Sequence, residues 1–319
     1  MPLKSLLLLP IALALALALP PCSGLNQSLN QPSSLVPTST IFAYHGGPLL
    51  VGPKPINVYL IWYGAFYLKD RTPITDFLAS FNGPKPPSPT VAAWWSTVLS
   101  YRDKSRHPVS GTIKLAKELG DITYSLGKNI KRAQIANYIK HKIDSKLLAL
   151  DPHGIYLFLT SKNVVVERFC MNSCGFHGNV MTAMRRRVIF AHVGDPSVQC
   201  PGLCSWPYAV PAYGPPGHAL VAPNGVGTDG IVMNLATVLA GAATNPFGSG
   251  YFQGDRLAPL EAVSACPGIF GAGAYPGYPG DLKVDKVSRA SYNAFGVNGR
   301  KFLLPAMWDP AHNNCKVVA

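Results

Sequence analysis

Residues Asp229 to Thr244 read DGIVMNLATVLAGAAT. This run is apolar on nearly every side of a 3.6-residue period, so it forms a helix that lies in a core rather than on a surface. Asp229 is placed to cap it, and Asn245-Pro246 stops it. From Gly230 to Gly254 there is no His, Asp, Glu or Cys. A helix of this kind needs apolar partners all round, and the chain supplies them. Val58-Tyr59-Leu60-Ile61-Trp62-Tyr63, Ile155–Leu159 and Arg187–Ala191 are β-branched or aromatic runs bounded by turn residues, and read as buried strands. Thr72-Pro73 opens a helix through Phe81, with proline in the first turn. A second helix covers Val91–Ser100. From Lys131 onward Ile135, Ile139, Ile143 and Leu147 recur at fours, an amphipathic helix with Arg132, Lys140, Lys142 and Lys146 off its apolar face. Strands interleaved with helices give an α/β or α+β fold. The expectation is one domain over 41–319, with a mixed central sheet, flanking helices and long disulfide-pinned loops. Residues 194–227 form such a loop, held by Cys200 and Cys204.

Composition bounds the rest. Lys plus Arg is 28 against 15 acidic residues, a net charge of +13, while only 13% of residues are charged. Hydrophobic residues make up 48%, which excludes a disordered chain. The 30 Gly and 30 Pro keep no strict period, which excludes a collagen-like fibre. Residues 1–24 combine Lys4, an apolar run from Leu6 to Leu19 and a small-residue end, the layout of a secretory signal peptide. The run is short of the roughly 20 residues that cross a bilayer, and no membrane span is expected. Residues 25–40 are a polar, Pro- and Ser-rich leader expected to be disordered, and Asn26-Gln27-Ser28 is a glycosylation sequon. Losing Cys22 with the signal leaves Cys170, Cys174, Cys200, Cys204, Cys266 and Cys315. An even set in an exported chain reads as disulfides, with the pairing open. Zinc through the two CxxxC pairs, or a nucleophilic Cys174 beside His177, fits that set less well.

No Walker loop, GxSxG or HExxH occurs. The single GxGxxG, Gly225 to Gly230, follows a Pro-rich loop rather than a strand and reads as a glycine-rich turn into the helix. No two histidines stand at helical ligand spacing, and no metal or cofactor is expected. Basic residues concentrate in two places. One is Lys128, Lys131, Arg132, Lys140, Lys142 and Lys146; the other is Arg185-Arg186-Arg187. For an exported protein their natural partner is an anionic polysaccharide or a membrane surface rather than nucleic acid. Trp94, Trp95, Trp206, Tyr275 and Tyr278 are candidates for stacking on sugar rings. The oligomeric state is left open.

Several runs resemble the plant EXORDIUM family, also called phosphate-induced proteins. They include Tyr44-His45-Gly46-Gly47-Pro48, Val58 to Gly64, Phe169-Cys170 with Cys174-Gly175-Phe176-His177-Gly178, and Gln199-Cys200-Pro201-Gly202. Ala222-Pro223-Asn224-Gly225, Asn234-Leu235-Ala236-Thr237, Gly250-Tyr251-Phe252-Gln253-Gly254, Ala262 to Cys266 and Leu304 to Pro310 continue the series. The resemblance implies a protein of the apoplast or cell wall tied to growth, cell expansion and brassinosteroid response. The stretch Gly227–Pro246 is also similar in layout to the active-site helix of secreted bacterial metallopeptidase-like proteins. Thr237, Val238, Ala240, Gly241 and Asn245 stand where those carry their His, Glu and Asp. That layout implies a zinc-peptidase-like scaffold lacking the metal site. His177, Asp229, Thr237, Gly241, Asn245 and Glu261 would then line a vestigial cleft, with Asp255 near it. The expected role is binding of a wall component or extracellular partner without catalysis. The alternative is a divergent secreted hydrolase or peptidase.

Overall fold

The computed structural model describes residues 41–82, 88–171, 173–213 and 217–318. The signal segment 1–24, the leader 25–40 and Asn26 lie outside these residues. The sheet is built from β1 (Ile56–Tyr63), β2 (Ile113–Asp121), β3 (Ile155–Thr160), β4 (Gly175–Met181) and β5 (Arg187–Gly194) in the order β2-β1-β3-β5-β4. The first four are parallel, and β4 runs antiparallel along one edge. The sheet is thus mixed, as expected.

Three long helices cover it: α1 (Leu68–Ala79), α2 (Arg132–Asp144) and α3 (Val226–Thr244). The central strands are apolar throughout because both faces are covered. In β1 the side chains of Ile56, Val58, Leu60 and Trp62 join a core with α1 and α3. Those of Tyr59, Ile61 and Tyr63 join a separate core with Ile135, Tyr138, Ile139 and Ile143 of α2. The two-residue strand period therefore sorts one sequence run into two cores. The helix α3 packs on β5, β4, α1 and the short helix Pro201–Cys204. It is long and apolar enough to cross a bilayer, but most of it is buried inside the fold.

Several expectations are corrected. The first helix begins at Leu68, so Pro73 lies inside it rather than in its first turn. The second is a short α-helix, Val91–Trp95, that tightens into a 3-10 turn over Ser96–Ser100. Leu147 falls beyond the end of α2 and is exposed. Trp94 and Trp95 are core residues whose indole N–H groups donate to the Pro305 and Ser110 carbonyls, so neither can stack on a ligand. The helix α3 starts at Val226 behind Gly225, whose φ of 97° favours glycine. Asp229 therefore sits in the first turn and is not its cap.

Three disulfides form: Cys170–Cys200, Cys174–Cys204 and Cys266–Cys315. The first two staple the segment before β4 to the helix Pro201–Cys204. The third ties the strand Asn314–Lys316 to the loop after Glu261. Both CxxxC pairs and Cys174 are consumed, so neither a thiolate zinc site nor a nucleophilic Cys174 remains.

Candidate functional site

The sheet edge and the far end of α3 bring four of the expected cleft residues together. His177 projects from β4, whose register places it opposite Ala191 of β5. Its Nε2 lies 2.9 Å from both Oε1 and Oε2 of Glu261. Asn245, the residue closing α3, donates from Nδ2 to Glu261 Oε1 at 2.7 Å. Its Oδ1 accepts from the Gly250 N–H at 2.7 Å. The Glu261 N–H donates in turn to Ser264 Oγ. Gly241 lets this group approach the helix. A Cβ there would run into the Glu261 carboxylate and stand 3.2 Å from His177 Nε2.

Burial pushes the His177 imidazole down, but the Glu261 charge and hydrogen bond outweigh it, and the ring keeps its proton to a higher pH than usual. Its Nδ1 has no partner among the described residues. The Glu261 carboxylate and the Asn245 amide are engaged with each other, with His177 and with the adjoining loop. The arrangement is a strut joining β4, the end of α3 and the 253–266 loop.

The other two expected cleft residues lie elsewhere. Thr237 is one turn up the helix and donates to the Met233 carbonyl. Asp229 is about 18 Å further along the axis than Gly241, from the helical rise. Its carboxylate accepts from Asn224 N at 2.7 Å and Asn224 Nδ2 at 2.8 Å. Arg300 links Asn224 to Asp76, and Asn298 also donates to Asp76. Burial pushes the Asp229 carboxyl up to about 7, against the opposing Asn224 hydrogen bonds and the Arg300 charge. Asp255 caps its own exposed turn at Leu257. The six residues therefore do not line one cleft. Among the described residues no three metal-ligating side chains gather, and the zinc-peptidase resemblance of the helix finds no support in the fold.

His192 is a fully enclosed imidazole. It meets Thr160 Oγ1 at 3.0 Å and lies against Phe169 and Phe176. Burial, then the Arg132 charge, pushes it down to about 3, so it stays neutral and serves the core.

The two basic concentrations, apart in sequence, meet in space. Asp144 closes α2 and pairs with Lys140 at 2.5 Å. Its other oxygen accepts from the Ala183 N–H at 3.1 Å, on the turn that carries Arg185 and Arg186. Among the described residues Lys140 is the only one of Lys128, Lys131, Arg132, Lys140, Lys142, Arg185, Arg186 and Arg187 that forms an ion pair. Lys128 sits over Tyr124, Lys142 over Tyr138 and Arg187 over Phe247. Arg132 is half-buried, 4.1 Å over the Phe176 ring, and donates to Ser173 Oγ. Burial, then the Arg168 charge, pushes its guanidinium down. Arg132 thus acts more as a structural cation than as a surface one.

Sequence reasoning missed β2 and β4, and with β4 the direction of His177. It also missed the Asp76–Arg300–Asn224–Asp229 network. The polar alternation of β2 and the glycines of β4 hide both strands.

Comparison with known proteins follows the same pattern as the motifs. Residues 42–318 match the family described as the phosphate-induced protein 1 conserved region. The chain is 45% identical over 289 residues to Protein PHOSPHATE-INDUCED 1 of Nicotiana tabacum, covering 88% of this chain and 90% of that one. It is 46% identical to Protein EXORDIUM-like 2 of Arabidopsis thaliana, over 87% of this chain and 90% of the relative. It is also 46% identical to Protein EXORDIUM of the same plant, over 87% and 89%. No solved structure matches it. With matches of that extent running through strands, core helix and disulfide segments alike, the chain belongs to the phosphate-induced protein 1 family, which includes the EXORDIUM proteins.

Proposed function

We propose that this chain is an extracellular, wall-associated growth protein that binds anionic wall polymers through a basic face, without catalysis. The observation that carries the reading is the junction at Asp144. One carboxylate gathers the end of α2 and the 182–187 turn into a single cationic surface. Arg185 and Arg186 are exposed on it, and Lys128 and Lys131 are exposed at the opposite, N-terminal end of α2, all without carboxylate partners among the described residues. Such a surface concentrates polyanions within a Debye length and loses its hold as salt rises. Export is supported by the three disulfides and by the signal-like first 24 residues. The link to growth, cell expansion and brassinosteroid response comes from the family resemblance.

The test is co-sedimentation of the mature protein with polygalacturonate over a salt series. Binding should be strong at low salt, fall steeply as salt rises and weaken in an Arg185→Gln/Arg186→Gln variant. Binding that ignores both salt and these arginines would overturn the basic-face reading. One observation favours an enzyme instead: the His177–Glu261 pair is a histidine–carboxylate couple of the sort used in proton transfer. Release of new reducing ends, abolished by His177→Ala in a folded protein, would install that reading in place of ours.

A further inference from the structure

Outside the His177 cluster, a second place on the molecule has the character of a ligand site. A groove of about 440 Å³ opens between α2 and the turn that follows β2, lined by Ser125, Leu126, Gln134, Asn137, Tyr138, His141 and Lys142. That volume lies within the about 300–1,000 Å³ of small-ligand sites. Its helical wall reads i, i+3, i+4, i+7, i+8, so five consecutive positions on one side of α2 face the same space.

The floor is apolar and fixed. Tyr138 is almost wholly buried, and its hydroxyl donates to Asp121 Oδ2 at 3.0 Å. Leu126 is held by its N–H, which donates to Tyr63 Oη. The rim is polar and largely unspent. Gln134 gives its carbonyl to the Lys131 N–H, and its NH2 makes no hydrogen bond among the described residues. The side chains of Asn137 and His141 make no hydrogen bond among the described residues, and the Lys142 ammonium stands 4.7 Å over the Tyr138 ring. Negative charge is kept out of the groove. Asp121 is sealed beneath Tyr138, Ser125 and Thr123, and Asp144 is engaged by Lys140 and the Ala183 N–H.

We propose that this groove is a saccharide site for an acidic sugar chain, a uronic-acid oligomer. With the Lys142 ammonium swung from the Tyr138 ring to a sugar carboxylate, the apolar floor takes the C–H face of a pyranose ring, and the Gln134 and Asn137 amides meet its hydroxyls. Lys142, with His141 beside it, meets the carboxylate. Lys128 and Lys131 lie on the flanking segments, where the next charged unit of a chain would run. An acidic peptide would use the cations but has no ring for the floor and few hydroxyls for the amides. This inference deepens the polyanion reading above and rests on it: the basic face supplies general attraction, and the groove supplies recognition of the sugar.

The test titrates the mature protein at low salt with a galacturonic-acid tetramer, its fully methyl-esterified form and a glutamate peptide of equal charge. The acidic tetramer should bind at least ten times more tightly than either of the others. Asn137→Ala/Lys142→Gln should weaken it at least tenfold, and Lys286→Gln, which removes the same charge outside the groove, less than twofold. In the unaltered protein the tetramer should slow acetylation of Lys142, a readout that survives if the double variant fails to fold. Equal binding of the peptide or the ester would overturn the sugar assignment. Undiminished tetramer binding by the folded double variant, or no protection of Lys142, would overturn the groove while leaving salt-sensitive polymer binding intact. Absence of any binding to uronate polymers would remove the basic-face reading as well.

Discussion

Replacing Glu261 by Gln tests what the His177 cluster is for. The substitution keeps shape and volume and leaves a carbonyl oxygen for Asn245 Nδ2. It removes the charge that His177 Nε2 meets at 2.9 Å. The two side chains are 12% and 16% exposed. Breaking a fully buried ion pair costs about 3–5 kcal/mol, and a charge-assisted hydrogen bond about 1.5–3 kcal/mol. Partial exposure puts this pair at the lower figure, about 2–3 kcal/mol at about pH 5. The sign of the pH dependence follows from the raised His177 pKa. Its stabilisation is complete below the unfolded histidine value of about 6.5 and fades as pH climbs through the higher folded value. The deficit of Glu261→Gln should therefore shrink to about 1 kcal/mol once pH has passed the folded value, where a neutral imidazole donates to a carboxylate. Urea unfolding followed by tryptophan fluorescence on either side of that value measures both numbers. A variant as stable as the parent in acid, or a deficit that grows with pH, would refute the strut.

Gly241→Ala should be net destabilising by about 1–2 kcal/mol, since overpacking outweighs a helix-propensity gain of about 1 kcal/mol. Combined with Glu261→Ala its cost should vanish, because the added methyl then has room; urea midpoints of the double variant check this. Paired Cys266→Ala/Cys315→Ala removes a link across 49 residues of separation, worth about 4 kcal/mol by chain entropy. The melting temperature of the oxidised protein should fall, and that of the reduced protein should stay unchanged by the substitution. Asp229→Asn should flatten the stability–pH slope between about pH 4 and 7, because the folded carboxyl stands at about 7. A slope unchanged from the parent would show that Asp229 ionises freely.

How legible the molecule was depends on what each element asks of its residues. The strands β1, β3 and β5 are buried on both faces, so their apolar runs are unmistakable. The helix α3 was legible for the same reason, and so was the face of α2 carrying Ile135, Ile139 and Ile143. In contrast β2 is an edge strand with an exposed side, Ile113-Lys114-Leu115-Ala116-Lys117, which its composition does not distinguish from a loop. The strand β4 carries Gly175, Phe176, His177 and Gly178, and exists because β5 and the disulfides at Cys170 and Cys174 hold it there. The site shared that fate. The metallopeptidase-like layout of the helix groups His177, Gly241, Asn245 and Glu261 with Thr237 and Asp229, which lie elsewhere along it. Only the packing of β4 against the end of α3 shows which four converge. The pairing of the cysteines was equally hidden, because it depends on which loops the sheet brings side by side. The motif series, by contrast, was strong enough to carry the family from sequence alone, since it samples core, turns and cysteines in one order.

Asp229 and His177, both with raised pKa values, push the molecule the same way. Asp229 gives up stability as pH rises from the ordinary carboxylate range toward 7, and His177 gives it up from about 6.5 onward. In Asp121 burial pushes the carboxyl up, but hydrogen bonds from Ser125, Tyr138 and Thr123 outweigh it and leave it low. Its stabilisation is complete above the ordinary carboxylate value of about 4 and is lost only as pH falls through its lower folded value. Between these limits, from about pH 4 to 6, Asp121 is ionised, His177 is charged against Glu261 and Asp229 still carries its proton. A fold poised for an acidic medium is then written into three side chains on three different elements. Over the same interval uronic acids, like other carboxylates, stay largely ionised. Stability and the proposed recognition of an acidic sugar would thus share one pH window, which links the buried strut and the surface groove without any contact between them.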